Sequence, residues 1–131
     1  MTGANWVGGI APSAGATLVF PSGPTQTSTN NNFAAGTDFE SISISGSGYT
    51  LAGNPLDLQN GLQATAGNTT VNTPLQLLAD QAISESTGTL TLGGAIDLNG
   101  HLLTLDAAGQ IVVQQSISGS GGLTKTGGGT A

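Results

Sequence analysis

The carboxylates are the side chains whose type and spacing come closest to a catalytic pattern. Asp57 and Asp97 occupy the middle of Leu56-Asp-Leu58 and Ile96-Asp-Leu98, and Gln76 has the same place in the segment between them. Two strand spacings of about 4.8 Å put these carboxyl groups about 10 Å apart, which is compatible with inverting glycoside hydrolysis. The alternative is an outward polar column that keeps a sheet face hydrated, and the low charge content favours it.

A lyase or a calcium site requires partners that this sequence does not supply. Lyases that abstract a proton next to a uronate carboxylate need a basic residue, and Lys125 is the only Lys or Arg in the chain. Calcium takes six to eight oxygens, usually from several carboxylates, so Asp57, Asp97 or the pair Asp38 and Glu40 are poor candidates. We expect Asp38 and Glu40 to be solvated residues that flank a strand beginning near Phe39.

The remaining candidate groups also lack partners. His101, the only histidine, lies in Asn99-Gly100-His101-Leu102, which is typical of an exposed corner. Ser118 and Ser120 lie in Gly/Ser turns without a Gly-x-Ser-x-Gly elbow, and no glycine cluster is followed by the Lys-Ser/Thr of a phosphate loop. We therefore assign no catalytic, cofactor-binding or metal-binding residue, expect no cofactor, and predict that the chain is not an enzyme.

A regular threonine column raises one further binding hypothesis. Thr50, Thr70 and Thr91 are equivalent outward positions in the pattern described below, and Val112 follows them. Threonine rows on a flat sheet organise surface water in ice-binding solenoids. Since this column is short and has no paired row beside it, the pattern does not favour that role.

Composition restricts the class of protein. The chain has 131 residues, the length of one domain, and only 6% of them are charged. One basic residue against seven acidic ones excludes binding to nucleic acid and a polybasic membrane anchor. No apolar run approaches the ~20 residues of a membrane helix, so we expect no membrane insertion. A disordered linker is disfavoured because Leu, Ile and Val are evenly spread and alternate with small polar residues.

Three strand patterns recur at a spacing near twenty residues and set the architecture. Each has an inward, an outward and an inward residue, as a strand with one buried face requires. The first comprises Tyr49-Thr-Leu51, Thr69-Thr-Val71, Leu90-Thr-Leu92 and Ile111-Val-Val113; the second comprises Leu56-Asp-Leu58, Leu75-Gln-Leu77, Ile96-Asp-Leu98 and Ile117-Ser-Gly119; the third comprises Ile42-Ser-Ile44, Leu62-Gln-Ala64, a blurred Ala82-Ile83, Leu103-Thr-Leu105 and Leu123-Thr-Lys125.

These patterns predict an all-β fold: a right-handed single-stranded parallel β-helix, or β-solenoid, with three short strands per coil of about 20 residues. Asn60-Gly61, Gly67-Asn68, Gly93-Gly94 and Asn99-Gly100 supply residues able to adopt positive φ at the corners. An antiparallel sandwich is the alternative, but it gives no reason for a triplet of strands to return every twenty residues.

The two ends of the chain differ. We expect residues 1–40 to form an N-terminal cap and first strand with an inserted loop, because Ala16–Phe20 matches Ile42–Ile44 and residues 25–32 look like loop. Most aromatic residues lie in this stretch. Residues 41–131 then form the coils, and no cap is visible at their end, so this edge is expected to pair with further coils or with copies of the same chain.

The sequence also resembles a known family at both ends. Asn5-Trp6, Gly8-Gly9-Ile10-Ala11-Pro12, Leu18-Val19-Phe20-Pro21 and the stretch from Phe39 through Ser45-Gly-Ser-Gly-Tyr-Thr-Leu51 resemble the opening of autotransporter-associated β-strand repeat proteins. Ile117-Ser-Gly-Ser-Gly-Gly-Leu-Thr-Lys-Thr-Gly-Gly-Gly-Thr130 resembles the passenger-associated transport repeat of that family. The repeat normally continues with Leu-Thr-Leu, and here Ala131 stands where that strand starts.

The resemblance implies a β-helical stalk in a large exported protein at the outer-membrane surface of a Gram-negative bacterium, or outside the cell. The chain is then a non-catalytic structural segment or adhesion scaffold, with end-to-end self-assembly as a variant. Host-surface or glycan ligands are further partners that the resemblance suggests. The alternative function is that of a carbohydrate-active β-helix enzyme or carbohydrate-binding module.

Overall fold

The computed structural model describes Trp6 and residues 9–131. All secondary-structure elements in this part of the chain are β-strands. The strands, in chain order, are β1 Thr17–Phe20, β2 Ser28–Asn31, β3 Thr37–Phe39, β4 Ser41–Ile44, β5 Thr50–Gly53, β6 Leu56–Leu58, β7 Leu62–Ala64, β8 Asn68–Val71, β9 Leu75–Leu77, β10 Gln81–Glu85, β11 Thr89–Leu92, β12 Ile96–Asp97, β13 Leu102–Ala107, β14 Gln110–Val113, β15 Ile117–Ser118 and β16 Gly122–Thr126.

Each strand pairs in parallel with the strand three places further along the chain. The result is three sheets, ordered β1-β4-β7-β10-β13-β16, β2-β5-β8-β11-β14 and β3-β6-β9-β12-β15. Successive triplets of strands therefore form five coils, and β16 begins a sixth. This arrangement confirms the predicted parallel β-solenoid with three strands per coil and rules out the antiparallel sandwich.

The core is a set of ladders of inward side chains, one from each coil. In the first predicted pattern, Leu51, Val71, Leu92 and Val113 lie in register from β5 to β14. In the second, Leu56, Leu75, Ile96 and Ile117 do the same from β6 to β15. Aliphatic residues suit such ladders because identical shapes stack at the strand spacing and remove apolar surface from water.

The third pattern was aligned wrongly after its second repeat. Leu62 was expected to match Leu103, but it pairs through Ile83 with Leu105, two residues further on. The reason is that Gln81 and Leu103 begin an additional inward ladder in the longer strands β10 and β13. A shift of two residues keeps the same side chains inside, since the strand period is two.

The predicted loop at residues 25–32 also requires correction, because Ser28–Asn31 form β2 and pair with β5. Polar residues make this strand hard to recognise: its sequence is Ser-Thr-Asn-Asn, and none of the four side chains is fully buried. Backbone pairing, with Ser28 opposite Thr50 and Thr29 opposite Leu51, is what defines it. The first coil therefore contributes a strand to each sheet.

Glycine is required at several corners where one coil passes close to the next. Gly61 has a φ of 88°, and a Cβ atom there would contact the backbone carbonyl of Ala82 in the following coil. Asn99, with a φ of 49°, is the non-glycine residue that adopts this left-handed conformation among the described residues. Its side chain donates a hydrogen bond to the Leu77 carbonyl, 3.0 Å away, which holds the corner against the preceding coil.

Aromatic residues close the N-terminal end of the core. The ring centroids of Phe20 and Tyr49 are 5.4 Å apart, and Trp6 lies 6.4 Å from Phe20. Tyr49 donates its hydroxyl hydrogen to the Pro21 carbonyl at 2.8 Å, and burial raises the pKa of this phenol. Asn5 and Gly8, which contribute to the family resemblance, lie outside the described residues, as does most of the segment 1–8.

Candidate functional site

A polar column runs along the outer face of the third sheet. Strand pairing places Asp38, Asp57, Gln76, Asp97 and Ser118 in register on five successive strands. The predicted equivalence of Asp57, Gln76 and Asp97 is confirmed, with the two carboxylates separated by two coils. This column is the strongest concentration of titratable groups on one face of the described structure.

Asp38 belongs to this column, contrary to the prediction that it flanks a strand beginning near Phe39. Instead, Asp38 is the central residue of β3, and Phe39 ends that strand with its side chain fully buried. Glu40 follows in the corner before β4. The sequence carried a usable signal, since Asp38 precedes Asp57 by the same 19 residues that separate Asp57 from Gln76. The adjacent carboxylates are therefore Asp38 and Asp57, one strand apart.

The environments of these carboxylates differ. Partial burial raises the pKa of Asp57, and the negative charge of Asp38 raises it further. The amide of Gln59 donates a hydrogen bond to Asp38 Oδ2 at 2.9 Å. Asp97 is more exposed, has Gln76 and Ser118 as its column neighbours, and accepts a hydrogen bond from the Asn99 backbone N–H at 2.9 Å. Comparing Asp57 with Asp97, it is Asp57 that has a negatively charged neighbour in the column.

The replacement Asp57→Asn is expected to stabilise the fold at neutral pH by about 0.5 kcal/mol, because it removes a like-charge pair from adjacent strands. The raised pKa means that the folded state binds the Asp57 proton more tightly than the unfolded state does. Ionised Asp57 therefore lowers the free energy of unfolding at a pH above its folded-state pKa. This destabilisation disappears as the pH falls below 3.8, the ordinary pKa of an aspartate, because the carboxyl is then protonated in both states. Urea unfolding at neutral pH and below pH 3.8 measures both effects.

The matched control for this prediction is Asp97→Asn in the same column. It removes a carboxylate without a charged neighbour, so we expect a smaller change in the free energy of unfolding at neutral pH. Equal gains in the two variants, or a gain for Asp57→Asn that persists at acid pH, would show that repulsion between Asp38 and Asp57 is not the cause.

His101 lies at a corner, as predicted, but it is only half-exposed and has one acidic neighbour. Its Nδ1 is 3.5 Å from Asp80 Oδ1, and the same oxygen accepts a hydrogen bond from the Leu102 backbone N–H. Asp80 is thereby tied to the corner of the next coil. No group of three or more His, Cys, Asp or Glu side chains able to hold a metal ion occurs in the described part of the chain.

The threonine column and the serines lie where the patterns placed them. Thr50, Thr70, Thr91 and Val112 are in register on the second sheet, and Ser28 extends the column at its N-terminal end. Ser118 and Ser120 are exposed in the last coil. Ser118 has the carboxylate-bearing Asp97 as its neighbour in register, and it and the threonine column lie on outward faces of the sheets.

Sequence reasoning missed three buried polar side chains, Glu85, Gln81 and Thr73, each at most 9% exposed; the inward position of Thr69, also buried, was predicted. Glu85 lies between Ala64 and Ala107 in its ladder, and its Oε2 accepts a hydrogen bond from the Gly109 backbone N–H at 2.7 Å. Gln81 donates to the Leu58 carbonyl at 2.8 Å. The two longer side chains thus bond backbone groups in a neighbouring coil.

The two ends of the solenoid expose parts of its core. At the N-terminal end, a cleft of 850 Å³ is lined by apolar residues including Phe20, Phe33 and Leu51, together with asparagines of β2. At the other end, β16 pairs only with β13, and Leu123 is 54% exposed although its ladder neighbour Leu103 is fully buried. A strand with one free edge and an apolar inward residue is a surface onto which another strand can add.

These features define the class of the protein: it is a parallel β-solenoid whose faces are hydrated columns of short polar side chains. No family model matches the sequence, and no curated protein or solved structure is significantly similar to it. The described residues form no helix that is long and apolar enough to cross a membrane.

Proposed function

We propose that this chain is a non-catalytic structural segment of a secreted or cell-surface protein of a Gram-negative bacterium, serving as a stalk or adhesion scaffold. The observation that carries the proposal is the uninterrupted stacking of parallel strands from β1 to β16, which builds length by repetition. Such a stack positions whatever is attached to it at a distance set by the number of coils.

The outer faces support a structural role. Charged side chains make up 6% of the chain, and the outward columns of the first two sheets consist mainly of serine, threonine, glutamine and asparagine, whereas that of the third sheet includes Asp38, Asp57 and Asp97. Neutral polar columns keep a sheet face hydrated without attracting polyanions or cations. The resemblance of residues 117–130 to a passenger-associated transport repeat supports export by an autotransporter-like route.

The open edge of β16 supports the proposed partners. Further coils, or copies of the same chain, are the partners that match a parallel edge strand of this geometry, because they continue the ladders in register. Host-surface or glycan ligands are additional proposed partners of the outer faces. Glycans suit those faces because serine, threonine and asparagine both donate and accept hydrogen bonds.

A surface-display experiment tests this function. The chain is placed between an N-terminal epitope tag and an outer-membrane translocator barrel in a Gram-negative host. We expect the tag to be accessible to antibody and to added protease on intact cells, as it is for a coil segment able to fold outside the membrane. The matched control is a disordered Gly/Ser linker of equal length, which lacks the coil fold.

Two results would count against the structural role. One is retention of the tag inside the cell with the wild-type segment. The other is protease cleavage within the wild-type segment at the same rate as within the linker, because a folded stalk protects its backbone while a flexible linker does not.

A carbohydrate-active enzyme is the second candidate, and one observation favours it. The raised pKa of Asp57 beside the carboxylate of Asp38 resembles the unequal acid pairs of glycosidases. Neither residue lines the clefts found at the N-terminal end. Hydrolysis of a substrate in a polysaccharide panel, lost in Asp57→Asn, would establish this function in place of the structural one.

A further inference from the structure

Lys125, the only basic residue, occupies a core position at the open end. Strand pairing puts it opposite Leu105, which continues the inward ladder of Leu62 and Ile83. Those three aliphatic residues are at most 4% exposed, whereas Lys125 is exposed because, within the described part of the chain, no strand lies over β16. Any strand added to β16 therefore covers a lysine where each earlier coil supplies an aliphatic side chain.

The side-chain hydrogen bonds of Lys125 are with backbone oxygen atoms. Its Nζ donates hydrogen bonds to the carbonyls of Gly127, at 2.9 Å, and Gly129, at 2.5 Å. Within residues 9–131, no carboxylate lies within ion-pair distance of it. The sequence has no acidic residue after Asp106, so Lys125 is the only charged side chain in residues 107–131 of a chain of net charge −6.

Polar side chains inside the solenoid bond backbone groups, but not all of their atoms are satisfied. Glu85 Oε2 accepts a hydrogen bond from the Gly109 backbone N–H, and Gln81 donates to the Leu58 carbonyl, whereas Glu85 Oε1 and Gln81 Oε1 are buried without a hydrogen-bond partner. A buried ammonium has a larger desolvation penalty than an amide, and it is tolerated only with a carboxylate or several good acceptors. A strand laid over β16 without an acceptor therefore buries the Lys125 ammonium group with its third hydrogen unpaired, at a cost in free energy.

The described edge strands of a second copy of this chain place no side-chain acceptor at the position facing Lys125. Its N-terminal edge strand, β1, offers Leu18 and Phe20 as inward residues. Attraction between the ammonium and the Phe20 ring is weaker than the penalty of removing the charge from water. The C-terminal edge of a second copy offers another Lys125, and the two positive charges repel each other.

We propose that Lys125 selects the partner of the open end: it admits a strand with a carboxylate at the facing ladder position and rejects a second copy of this chain. This inference rests on the proposed structural function, in which the end of β16 is a surface for coil addition. Charge at an inward edge position is a known way for sheets to avoid unwanted pairing.

Sedimentation velocity over a wide range of concentrations tests the inference on the 131-residue chain. We expect Lys125→Met, which keeps the length of the side chain without its charge, to self-associate at least about tenfold more tightly than the wild type. Lys125→Arg keeps the charge and is expected to match the wild type. Thr124→Met is the control for added apolar surface, because residue 124 faces outward next to the same edge.

A second uncharged variant, Lys125→Leu, repeats the test with the residue found at the facing position of β13, and circular dichroism confirms that each variant is folded. The inference is overturned if Lys125→Met and Lys125→Leu stay as monomeric as the wild type, or if Thr124→Met associates as strongly as they do. Neither result depends on the surface-display experiment. A failure of the inference about Lys125 can therefore be distinguished from a failure of the proposed structural role.

Discussion

Replacing Leu62 with aspartate is expected to abolish folding of the whole chain, whereas the same replacement of Gln63 next to it leaves the fold intact. Leu62 is 2% exposed and lies between Ile42 and Ile83 in a core ladder. An aspartate there buries a carboxylate without a partner, at a cost of about 3–5 kcal/mol. That is comparable with the entire stability of a small domain, about 5–15 kcal/mol.

The position of Leu62 in the stack enlarges this effect. It lies in β7, which belongs to the third of the five coils, so its disruption leaves two complete coils on either side. A solenoid needs about three stacked repeats to be stable, because a single coil cannot bury its own apolar face. Neither remaining part meets that requirement, and we expect no partly folded species in Leu62→Asp.

The control residue Gln63 is exposed, with Ser43 and Ser84 as its neighbours in register. An aspartate there stays in water, so we expect the free energy of unfolding to change by less than about 1 kcal/mol. Circular dichroism and urea unfolding of both variants measure the difference. A cooperative unfolding transition in Leu62→Asp at the same midpoint as in Gln63→Asp would contradict the assignment of the inward ladder.

The sequence was sufficient to predict the ladders wherever each coil repeats the same kinds of residue. Leu, Ile and Val recur at the inward positions of β5, β6 and their equivalents, so the period of about twenty and the three-strand coil could be recognised directly. The pattern was ambiguous where strands change length. Strand β10 begins with Gln81 in place of an aliphatic residue, and the alignment of the third ladder consequently slipped by two positions.

Other features were hidden because their causes are not local. The chain in β2 is polar throughout, and it is a strand only because β5 lies beside it. Glu85 and Gln81 were not recognised as core residues, since their burial depends on backbone partners in neighbouring coils. The neighbour relation of Asp38 and Asp57 was missed for a different reason. The first coil was treated largely as a cap, so only Ala16–Phe20 was aligned with the repeats, correctly with Ile42–Ile44, and β3 was not.

Engineered disulfides test the coil stacking most directly, and their expected effect is all or none. The chain has no cysteine, so a pair can be introduced without interference. Thr70 and Thr91 are directly opposite each other on β8 and β11, with outward side chains. Adjacent parallel strands are about 4.8 Å apart, within the range of about 4.4–6.8 Å between Cα atoms that a disulfide requires.

The matched control pair is Thr50 and Thr91, in the same column but separated by the strand that contains Thr70. Two strand spacings put these residues about 10 Å apart, beyond the reach of a disulfide without movement of the backbone. Mild oxidation of each double cysteine variant, followed by thiol counting and mass spectrometry, gives the measurement. Stacked parallel coils predict an intramolecular disulfide in Thr70→Cys/Thr91→Cys and free thiols in Thr50→Cys/Thr91→Cys. Free thiols in the first variant and a disulfide in the second would contradict the solenoid on which the structural role depends.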